Sequence, residues 1–276
     1  RGGVALGPYL ERHFGIPVFI NNDGNLFAYG EAISGALPEV NALLEAGGAS
    51  WRCRNLLGVT LGTGFGAGVV IDGRLLTGDN GCGGDVWVFR NKRHEGMICE
   101  ESVSVRAVLR VYAELSGQCV DGLSPKDIFD IAEGTRPGDR IAAHESFRRF
   151  GEVAGDVVSQ ALTIVDGIVV VGGGLAGAAA YFMPALLEEM RGEIGAFSGD
   201  RFPRLQMQVY NLDDPEDAVA FVGEKTARVT VPGFSEQVEY NRVRRTAVVC
   251  SKLGASRAIA LGAYAYAIAR LDGTDR

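Results

Sequence analysis

The sequence predicts an α/β fold, in which short β-strands alternate with amphipathic helices. Three observations predict it. β-Branched runs end repeatedly in glycine-rich turns, helical apolar spacing follows several of those turns, and the apolar run Ile168–Val171 passes through three glycines into the predicted helix Leu175–Gly192. A strand, a glycine turn and a helix in this order make one α/β unit. The 276 residues hold enough apolar material for one large domain or two modest ones.

The first part of the chain has helical periodicity. Apolar spacing predicts a helix over Leu6–Phe14, which Gly15-Ile16-Pro17 ends. Val18–Ile20 is predicted to be a short strand. Helical spacing returns over Asn25–Ala36, and the side chains predicted to be buried there are Leu26, Ala28, Tyr29 and Ala32.

The central part begins with two strands around a glycine turn. Strands are predicted over Asn55–Leu61 and Ala67–Ile71, and Asp72-Gly73 is a strong hairpin signal before the partner strand Arg74–Leu76. A glycine-rich loop follows at Gly78–Gly84. Three helices are then predicted, over Glu101–Ser116, Pro125–Glu133 and Asp139–Ile164.

The C-terminal part is more mixed in composition. Residues Phe197–Arg245 are polar and predicted to be β-rich, as an inserted hairpin or flap. Beyond them, Ala247–Cys250 predicts a strand and Ala255–Ala269 predicts a helix of small residues.

Charge and composition argue against several classes of protein. The net charge is −7, from 34 acidic and 27 basic residues, whereas a nucleic-acid surface usually shows as a basic patch. No apolar run approaches the ~18 residues that a membrane helix needs. The five cysteines have irregular spacing, which is typical of a reduced protein and predicts a cytoplasmic location.

The first candidate for chemistry is Asn21-Asn22-Asp23-Gly24-Asn25, between a predicted strand and a predicted helix. Ligands of α/β proteins bind where strands end. A carboxylate there can accept a proton from a substrate hydroxyl, while Asn22 and Asn25 can hydrogen-bond polar groups. The alternative is that Asp23 caps the following helix, a common role for Asn and Asp.

Two glycine-rich turns are the next candidates. In Gly62-Thr63-Gly64-Phe65-Gly66, backbone N–H groups can converge on a phosphate and Thr63 adds a hydroxyl donor, although a plain glycine hairpin has the same pattern. No Gly-Lys-Ser/Thr follows, so the turn is not a Walker loop. At Gly172-Gly173-Gly174 the backbone can approach a flat ligand near a helix N-terminus.

The last candidate is a loop containing Asp85, His94, Cys99 and Glu101. His and Cys in one loop can bind zinc. The spacing matches no four-ligand structural site, and nearby Cys82 does not complete one. We therefore expect no structural zinc and no other protein-bound metal site.

The order of these motifs resembles the ROK family of bacterial sugar kinases and repressors. Residues Phe14–Glu31 are similar to the segment around the catalytic Asn-Asp of that family, and Asn55–Gly84 to its second phosphate segment. Asp166–Leu175 looks like the adenosine segment and Ser251–Ala263 like the C-terminal helix. The resemblance covers much of the chain outside the predicted insertion.

The resemblance implies the actin-like, ribonuclease-H-like ATPase fold, with two lobes around a cleft, and a kinase that uses ATP and Mg²⁺. Asp23 would take the proton of the attacking sugar hydroxyl. The residues implied to bind the sugar are Asn22, Asp85, Glu101 and His94. The residues implied to bind phosphate or adenosine are Gly62, Thr63, Gly64, Gly172, Gly173 and Gly174.

Two departures from the family pattern concern the sugar and the zinc. The family has Glu-x-Gly-His after the glycine loop, where this chain has Asp85-Val86-Trp87-Val88. Asp85 can still reach a hydroxyl, but Val88 cannot bind a metal. The cysteine-rich zinc loop of the family is reduced to Arg93–Glu101, in which Cys99 matches one cysteine and Glu101 matches the last sugar-contacting glutamate.

A third departure concerns the N-terminal side. The family opens with an Asp-x-Gly-Gly-Thr phosphate loop roughly a hundred residues before the catalytic Asp, enough for most of one lobe, and no such motif precedes Asp23. That lobe is either lost or outside this sequence, so we expect this chain alone not to phosphorylate sugar. Residues 1–54 are then a remnant of the N-terminal lobe, and residues 55–276 form the C-terminal ATPase lobe with an insertion near 197–245.

Three hypotheses follow for function. The first is an ATP-dependent kinase for a hexose or N-acetylhexosamine hydroxyl, with Asp23 as the general base. The second is a non-catalytic sugar-sensing effector domain of a ROK-type repressor, and the third is a pseudokinase. The expected partners are a small-molecule sugar and ATP, without nucleic acid or membrane, in a homodimer as the family implies.

Overall fold

A computed structural model describes residues 3–223 and 226–273 and has a mixed β-sheet at its centre. The helices are α1 Leu6–Phe14, α2 Asp23–Ser34, α3 Ala36–Ala46, α4 Val105–Ser116, α5 Pro125–Glu133, α6 Arg140–Val165, α7 Ala179–Arg191, α8 Pro215–Val222 and α9 Ala255–Asp272. The strands are β1 Leu56–Leu61, β2 Phe65–Ile71, β3 Arg74–Leu75, β4 Ile168–Gly172, β5 Glu193–Gly195, β6 Arg201–Pro203, β7 Gln208–Asn211, β8 Thr226–Thr230, β9 Gln237–Asn241 and β10 Arg245–Cys250.

The central sheet has the strand order β3-β2-β1-β4-β10-β7. β1, β2 and β3 form an antiparallel meander, whereas β1, β4, β10 and β7 are parallel neighbours. The carboxyl ends of four consecutive strands therefore lie along one edge of the sheet. In α/β proteins this edge is where ligands bind.

Helices cover both faces of the sheet, and β4 shows why the strand reads as an uninterrupted apolar run. Val169 and Val171 belong to the buried cluster on the side of α4, α6 and α7, and Ile168 and Val170 to the cluster on the side of α2, α3 and α9. All four side chains are buried. Burying a Val or Ile side chain stabilises the fold by about 1.5–3 kcal/mol, so a strand covered on both faces is apolar at every position.

Helices α2 and α9 cross in close contact because small residues stand at the crossing. A Cβ on Gly30 would lie 1.9 Å from the carbonyl oxygen of Ala258, and one on Gly262 would lie 1.8 Å from that of Leu26. The buried Glu31 links α2 to two neighbouring elements. Its Oε1 accepts from the hydroxyl of Ser251, just after β10, and its Oε2 accepts from the N–H of Ala36, at the start of α3, at 2.8 Å. α2, the start of α3 and the end of β10 are thus held together.

Most predicted elements are present. α1 and α5 have the predicted bounds, and β1, β2, β4, α6 and β10 differ from prediction by one or two residues. Asp72 and Gly73, at φ 48° and 76°, make the predicted hairpin turn.

Two predictions at the N-terminal side need correction, and one helix there was not predicted. The strand predicted over Val18–Ile20 is wrong, because no described strand lies beside it to supply ladder hydrogen bonds, and the Val18 N–H donates to Glu11 Oε1 at 3.2 Å instead. α2 ends at Ser34, two residues before its predicted end. α3, which begins after Gly35, was not predicted.

The segment 197–245 is only partly outside the central sheet. β7 pairs in parallel with β10 and forms the edge of that sheet, and α8 follows it. β8 and β9 form a separate two-stranded hairpin. The predicted boundaries between an N-terminal remnant and a C-terminal lobe stay a prediction. No helix within residues 3–223 and 226–273 is both long enough and apolar enough to cross a membrane.

Candidate active site

A cleft of about 560 Å³ opens at the carboxyl ends of β1 and β4, between the N-termini of α2 and α9. It brings together several residues that the sequence singled out. Those residues are Asn22, Asp23, Gly62, Thr63, Gly64 and Gly173. Trp87, Glu100, Ala255 and Ile259 also line the cleft.

The two side chains at the start of α2 have different tasks. Asn22 is the N-cap, and its Oδ1 accepts from the Gly24 N–H at 2.8 Å. Asp23 is the first helical residue, and its Oδ1 accepts from the same N–H at 2.9 Å. Asp23 is exposed, and within the described part of the chain it forms no salt bridge. The carboxylate is thus at the N-terminus of α2 and open to the cleft.

The glycine turn connects β1 to β2 by the three residues Gly62, Thr63 and Gly64. The Gly62 N–H donates to Gly64 O at 3.1 Å, and Gly62 O accepts from Val105 N–H at 2.8 Å. A Cβ on Gly62 would meet no heavy atom within 4 Å, whereas one on Gly64 would lie 2.6 Å from Glu100 Oε2. Gly64 is therefore needed for the close approach of Glu100, and Gly62 borders open space.

Glu100 and Arg106, which the sequence analysis missed, hold this turn in place. Glu100 Oε2 accepts from the Phe65 N–H at 3.0 Å, and its Oε1 lies 2.9 Å from Arg106 Nη2. Arg106 Nη1 also donates to Thr63 O at 3.4 Å. The only sequence signal was the pair of acids followed by an arginine near the predicted start of a helix.

Glu101 is next to Glu100 but is not among the residues that line the cleft. Its Oε1 lies 2.8 Å from Arg106 Nη2. The hydrogen bond from Arg106 holds the pKa of the Glu101 carboxyl below its ordinary value. Both glutamates thus pair with Arg106, but only Glu100 also lines the cleft.

The three glycines at the end of β4, Gly172, Gly173 and Gly174, differ in their surroundings. A Cβ on Gly172 would lie 2.5 Å from the Phe27 ring, so this residue makes room for a core side chain. Gly173 lines the cleft with φ +94°, a conformation that L side chains rarely adopt, and a Cβ there would lie 2.3 Å from Leu61 O. Gly174 borders open space.

Asp85 and His94 are not brought into the cleft. Asp85 is half-buried at the start of a short 3₁₀ turn, Val86–Val88. His94 is exposed and borders a separate cavity of about 70 Å³ beside Arg149 and Phe150.

The Cys99 thiol joins two loops that the sequence analysis had tested as a zinc site. The buried thiol donates to Val86 O at 3.1 Å and to Trp87 O at 3.2 Å. Burial raises the pKa of Cys99 to about 12, and the thiol is engaged by these two carbonyl oxygens. No cluster of three metal-binding side chains is present in the described ranges.

The geometry of the cleft suits a reaction between an anionic group and a hydroxyl. The turn borders open space at Gly62, and the N–H groups of Thr63 and Gly64 can receive phosphate oxygens. The Asp23 carboxylate, on the α2 side of the same cleft, can accept a proton. The glycine turn lies between β1 and β2 and Asp23 begins α2, and these elements meet at the edge of the sheet.

Comparison with protein families gives one match that covers most of the chain. The model described as "ROK family" matches residues 3–197. Among solved structures, a glucokinase from Parabacteroides distasonis is 55% identical with a TM-score of 0.87, over 97% of this chain and 73% of that one. This similarity confirms the predicted actin-like ATPase fold.

Two more distant relatives are also sugar kinases. An N-acetyl-D-glucosamine kinase from Aliivibrio salmonicida is 26% identical over 234 residues, which are 72% of this chain and 71% of that protein. A ROK family glucokinase from Streptomyces griseus, solved with glucose and AMPPNP, has a TM-score of 0.58 at 20% identity, over 94% of this chain and 70% of that one. The chain spans 58% of the length of another curated relative, from Clostridium perfringens.

Proposed function

Because this chain belongs to the ROK family, we propose that it is part of an ATP-dependent kinase that phosphorylates a hydroxyl of a hexose or N-acetylhexosamine. The observation that carries the proposal is the cleft in which the Asp23 carboxylate and the Gly62–Gly64 turn lie together. The glucokinase that is 55% identical over 97% of this chain supports a sugar as the acceptor.

In the proposed mechanism, Asp23 removes the proton from the attacking sugar hydroxyl. Phosphoryl transfer depends mainly on alignment and on stabilisation of charge, with one carboxylate to orient the nucleophile and take its proton. The N-cap bond of Asn22 fixes the first turn of α2, so Asp23 needs no reorganisation before the reaction. Backbone N–H groups of the Gly62–Gly64 turn would hold phosphate oxygens, with the Thr63 hydroxyl as a further donor.

The Mg²⁺ that accompanies ATP would be held mainly by phosphate oxygens and waters, because Glu100 already pairs with Arg106 and Asp23 is the proposed base. When bound, the ion neutralises charge on the phosphates.

For the sugar, we propose Asn22 as a hydroxyl-binding residue, with Glu100 in the role first assigned to Glu101, whereas a contact from Asp85 stays a prediction. Glu100 lines the cleft, and Glu101 does not. His94 is not proposed again, because it borders a different cavity. The cytoplasmic location and the homodimer stay predictions.

An assay of ADP release on the full-length gene product tests the proposal. Glucose, mannose, N-acetylglucosamine and N-acetylmannosamine would be compared, each with and without ATP, and sugar-stimulated ADP release is expected for at least one. The absence of stimulation by every sugar would refute the kinase. Calorimetric titration then separates the alternatives, since a repressor-type effector domain binds sugar without turnover and a pseudokinase of structural role binds none.

A further inference from the structure

A small cavity of about 70 Å³ lies between α4, α6 and the segment that precedes α4. Hydrogen-bonding side chains line it from all three sides. Arg93 and Ser102 come from the preceding segment, Glu114 from α4, and Ser146 and Arg149 from α6. No residue lines both this cavity and the cleft that carries the proposed active site, so the two are separate.

The two arginines of the cavity are fixed by carboxylates and still have donors available. Arg149 Nε donates to Glu145 Oε1 at 2.8 Å, and Arg93 Nη1 donates to Glu152 Oε2 at 2.7 Å. In the described part of the chain, no acceptor is found for either Nη group of Arg149, or for Nε and Nη2 of Arg93. Neither Glu145 nor Glu152 lines the cavity. The free N–H groups therefore suit an oxyanion.

Ser102 adds a buried donor to the same lining. The residue is 7% exposed, and its Oγ accepts from Asn91 Nδ2 at 2.8 Å. Among the described residues, none accepts the proton of this hydroxyl. A buried donor without an acceptor costs free energy, so an acceptor within the cavity would satisfy it.

Glu114 and Ser146 contribute acceptors. Glu114 Oε1 lies 3.1 Å from Arg110 Nη1, and no partner of its Oε2 is found within the described ranges. Ser146 Oγ donates its proton to Ala143 O at 2.8 Å, so only its lone pairs are available to a ligand. A ligand that matches this lining carries both negative oxygens and a proton.

The volume of the cavity limits the size of that ligand. One water needs roughly 10–15 Å³ of such space, so about 70 Å³ holds roughly five to seven groups of that size. A phosphate ion fits this space, whereas a sugar or a nucleotide is too large.

We propose that this cavity binds inorganic hydrogen phosphate, with Arg93, Arg149 and Ser102 donating to its oxygens and Glu114 accepting its proton. Guanidinium groups match the oxygens of phosphate geometrically. Sulfate has a similar shape but no proton at neutral pH, so one of its oxygens would face the Glu114 carboxylate and both acceptors would stay unsatisfied. This inference does not rest on the proposed kinase function.

Calorimetric titration of the full-length protein with phosphate and with sulfate, at matched ionic strength, tests the site. We expect the parent protein to bind phosphate more tightly than sulfate. Arg149→Gln should weaken phosphate binding at least about tenfold, because it removes charge-assisted hydrogen bonds. Glu114→Gln should abolish the preference for phosphate, because an amide can donate to a sulfate oxygen.

The matched control is Arg148→Gln. Arg148 is the neighbour of Arg149 and pairs with the same Glu145, but it does not line this cavity, so phosphate affinity should change little. An equal loss in Arg148→Gln and Arg149→Gln would show a general charge effect and overturn the site. If Arg149→Gln does not fold, Ser102→Ala replaces it, and unchanged phosphate affinity in that variant would also overturn the proposal.

Glucose 6-phosphate separates free phosphate from the phosphoryl group of a larger ester. Its binding should not depend on Arg149, because the sugar exceeds the cavity. If the ester binds more tightly than phosphate and loses that affinity in Arg149→Gln, the assignment to free phosphate is wrong. A parent protein that binds no phosphate would show that water fills the cavity, and equal phosphate affinity in the parent and Arg149→Gln proteins would place the ion elsewhere.

Discussion

Asn22 and Asp23 show how adjacent polar residues divide structural and chemical tasks. The N-cap position needs a side-chain acceptor for the first free N–H groups of the helix, and Asn22 supplies it. Asp23, one residue later, is at the positive end of the helix with its carboxylate open to the cleft. Asn22 is thus the N-cap residue, while Asp23 contributes one oxygen to the same Gly24 N–H and keeps its other oxygen for the proposed proton transfer.

The substitution Asp23→Asn tests this division of tasks. If Asp23 is the general base, turnover should fall about 10²–10⁴-fold with little change in sugar affinity, because the amide keeps the shape but cannot take a proton. Steady-state ADP release and calorimetric sugar binding measure the two quantities. The control is Asp121→Asn, an exposed acid in the turn between α4 and α5. Unchanged turnover in Asp23→Asn would leave Asp23 with a structural role only.

The five cysteines of this sequence should differ sharply in reactivity. Cys82 and Cys119 are exposed, whereas burial raises the pKa values of Cys53, Cys99 and Cys250 to about 12. The thiolate is the nucleophile, so iodoacetamide at pH 8 should label the two exposed residues in the native protein. The other three thiols, whose pKa values are raised, should react much more slowly in the native protein than in denaturant. Peptide mass spectrometry measures the sites, and labelling of Cys99 as fast as Cys82 would contradict the buried thiol.

At the scale of elements, the crossing of α2 and α9 depends on two glycines. Gly262→Ala would place a Cβ 1.8 Å from Leu26 O, a backbone atom that cannot move without displacing α2. Overpacking of this kind costs typically about 1–3 kcal/mol, and urea denaturation of the full-length protein would measure the loss. The matched control is Gly7→Ala in α1, where the nearest atom to the new Cβ is a side-chain carbon at 3.5 Å.

The Gly7 control should keep or slightly raise stability, because alanine favours a helix by up to about 1 kcal/mol over glycine. Equal effects of the two substitutions would show that helix propensity, and not the crossing, governs both positions. In that case the α2–α9 crossing would accommodate the alanine methyl group at position 262, contrary to the distance of 1.8 Å to Leu26 O.

At the scale of the whole molecule, local patterns predicted what depends on neighbours along the chain. The strands β1, β2, β4 and β10 have short-range signals in their apolar runs and turns. The order of those strands within the sheet has no such short-range signal. β7 was predicted only as part of a β-rich flap, because the partner that makes it an edge strand of the central sheet, β10, lies thirty-odd residues later in the chain.

The residues of the cleft were predictable to the same degree as the strands. Asp23, Gly62, Thr63, Gly64 and Gly173 stand in motifs with recognisable turns, and they do meet in one cleft. The choice between Glu100 and Glu101 was not predictable, since both carboxylates of the short 3₁₀ turn Cys99–Glu101 pair with Arg106 and only that of Glu100 also reaches the glycine turn. A side chain's direction in such a turn depends on tertiary contacts, here the close approach of Gly64.

The close crossing of α2 and α9 also affects which part of the cleft can move. The two helices are interlocked at Gly30 and Gly262, and Glu31 hydrogen-bonds Ser251, so we expect the part of the cleft that carries Asp23 to move little. Trp87, which also lines the cleft, belongs to the segment between β3 and α4. If the proposed sugar binds in the cleft, its entry and release should move this segment more than α2. Hydrogen exchange should show sugar-dependent protection in residues 77–98, whereas a comparable change within α2 would show that the crossing is not rigid.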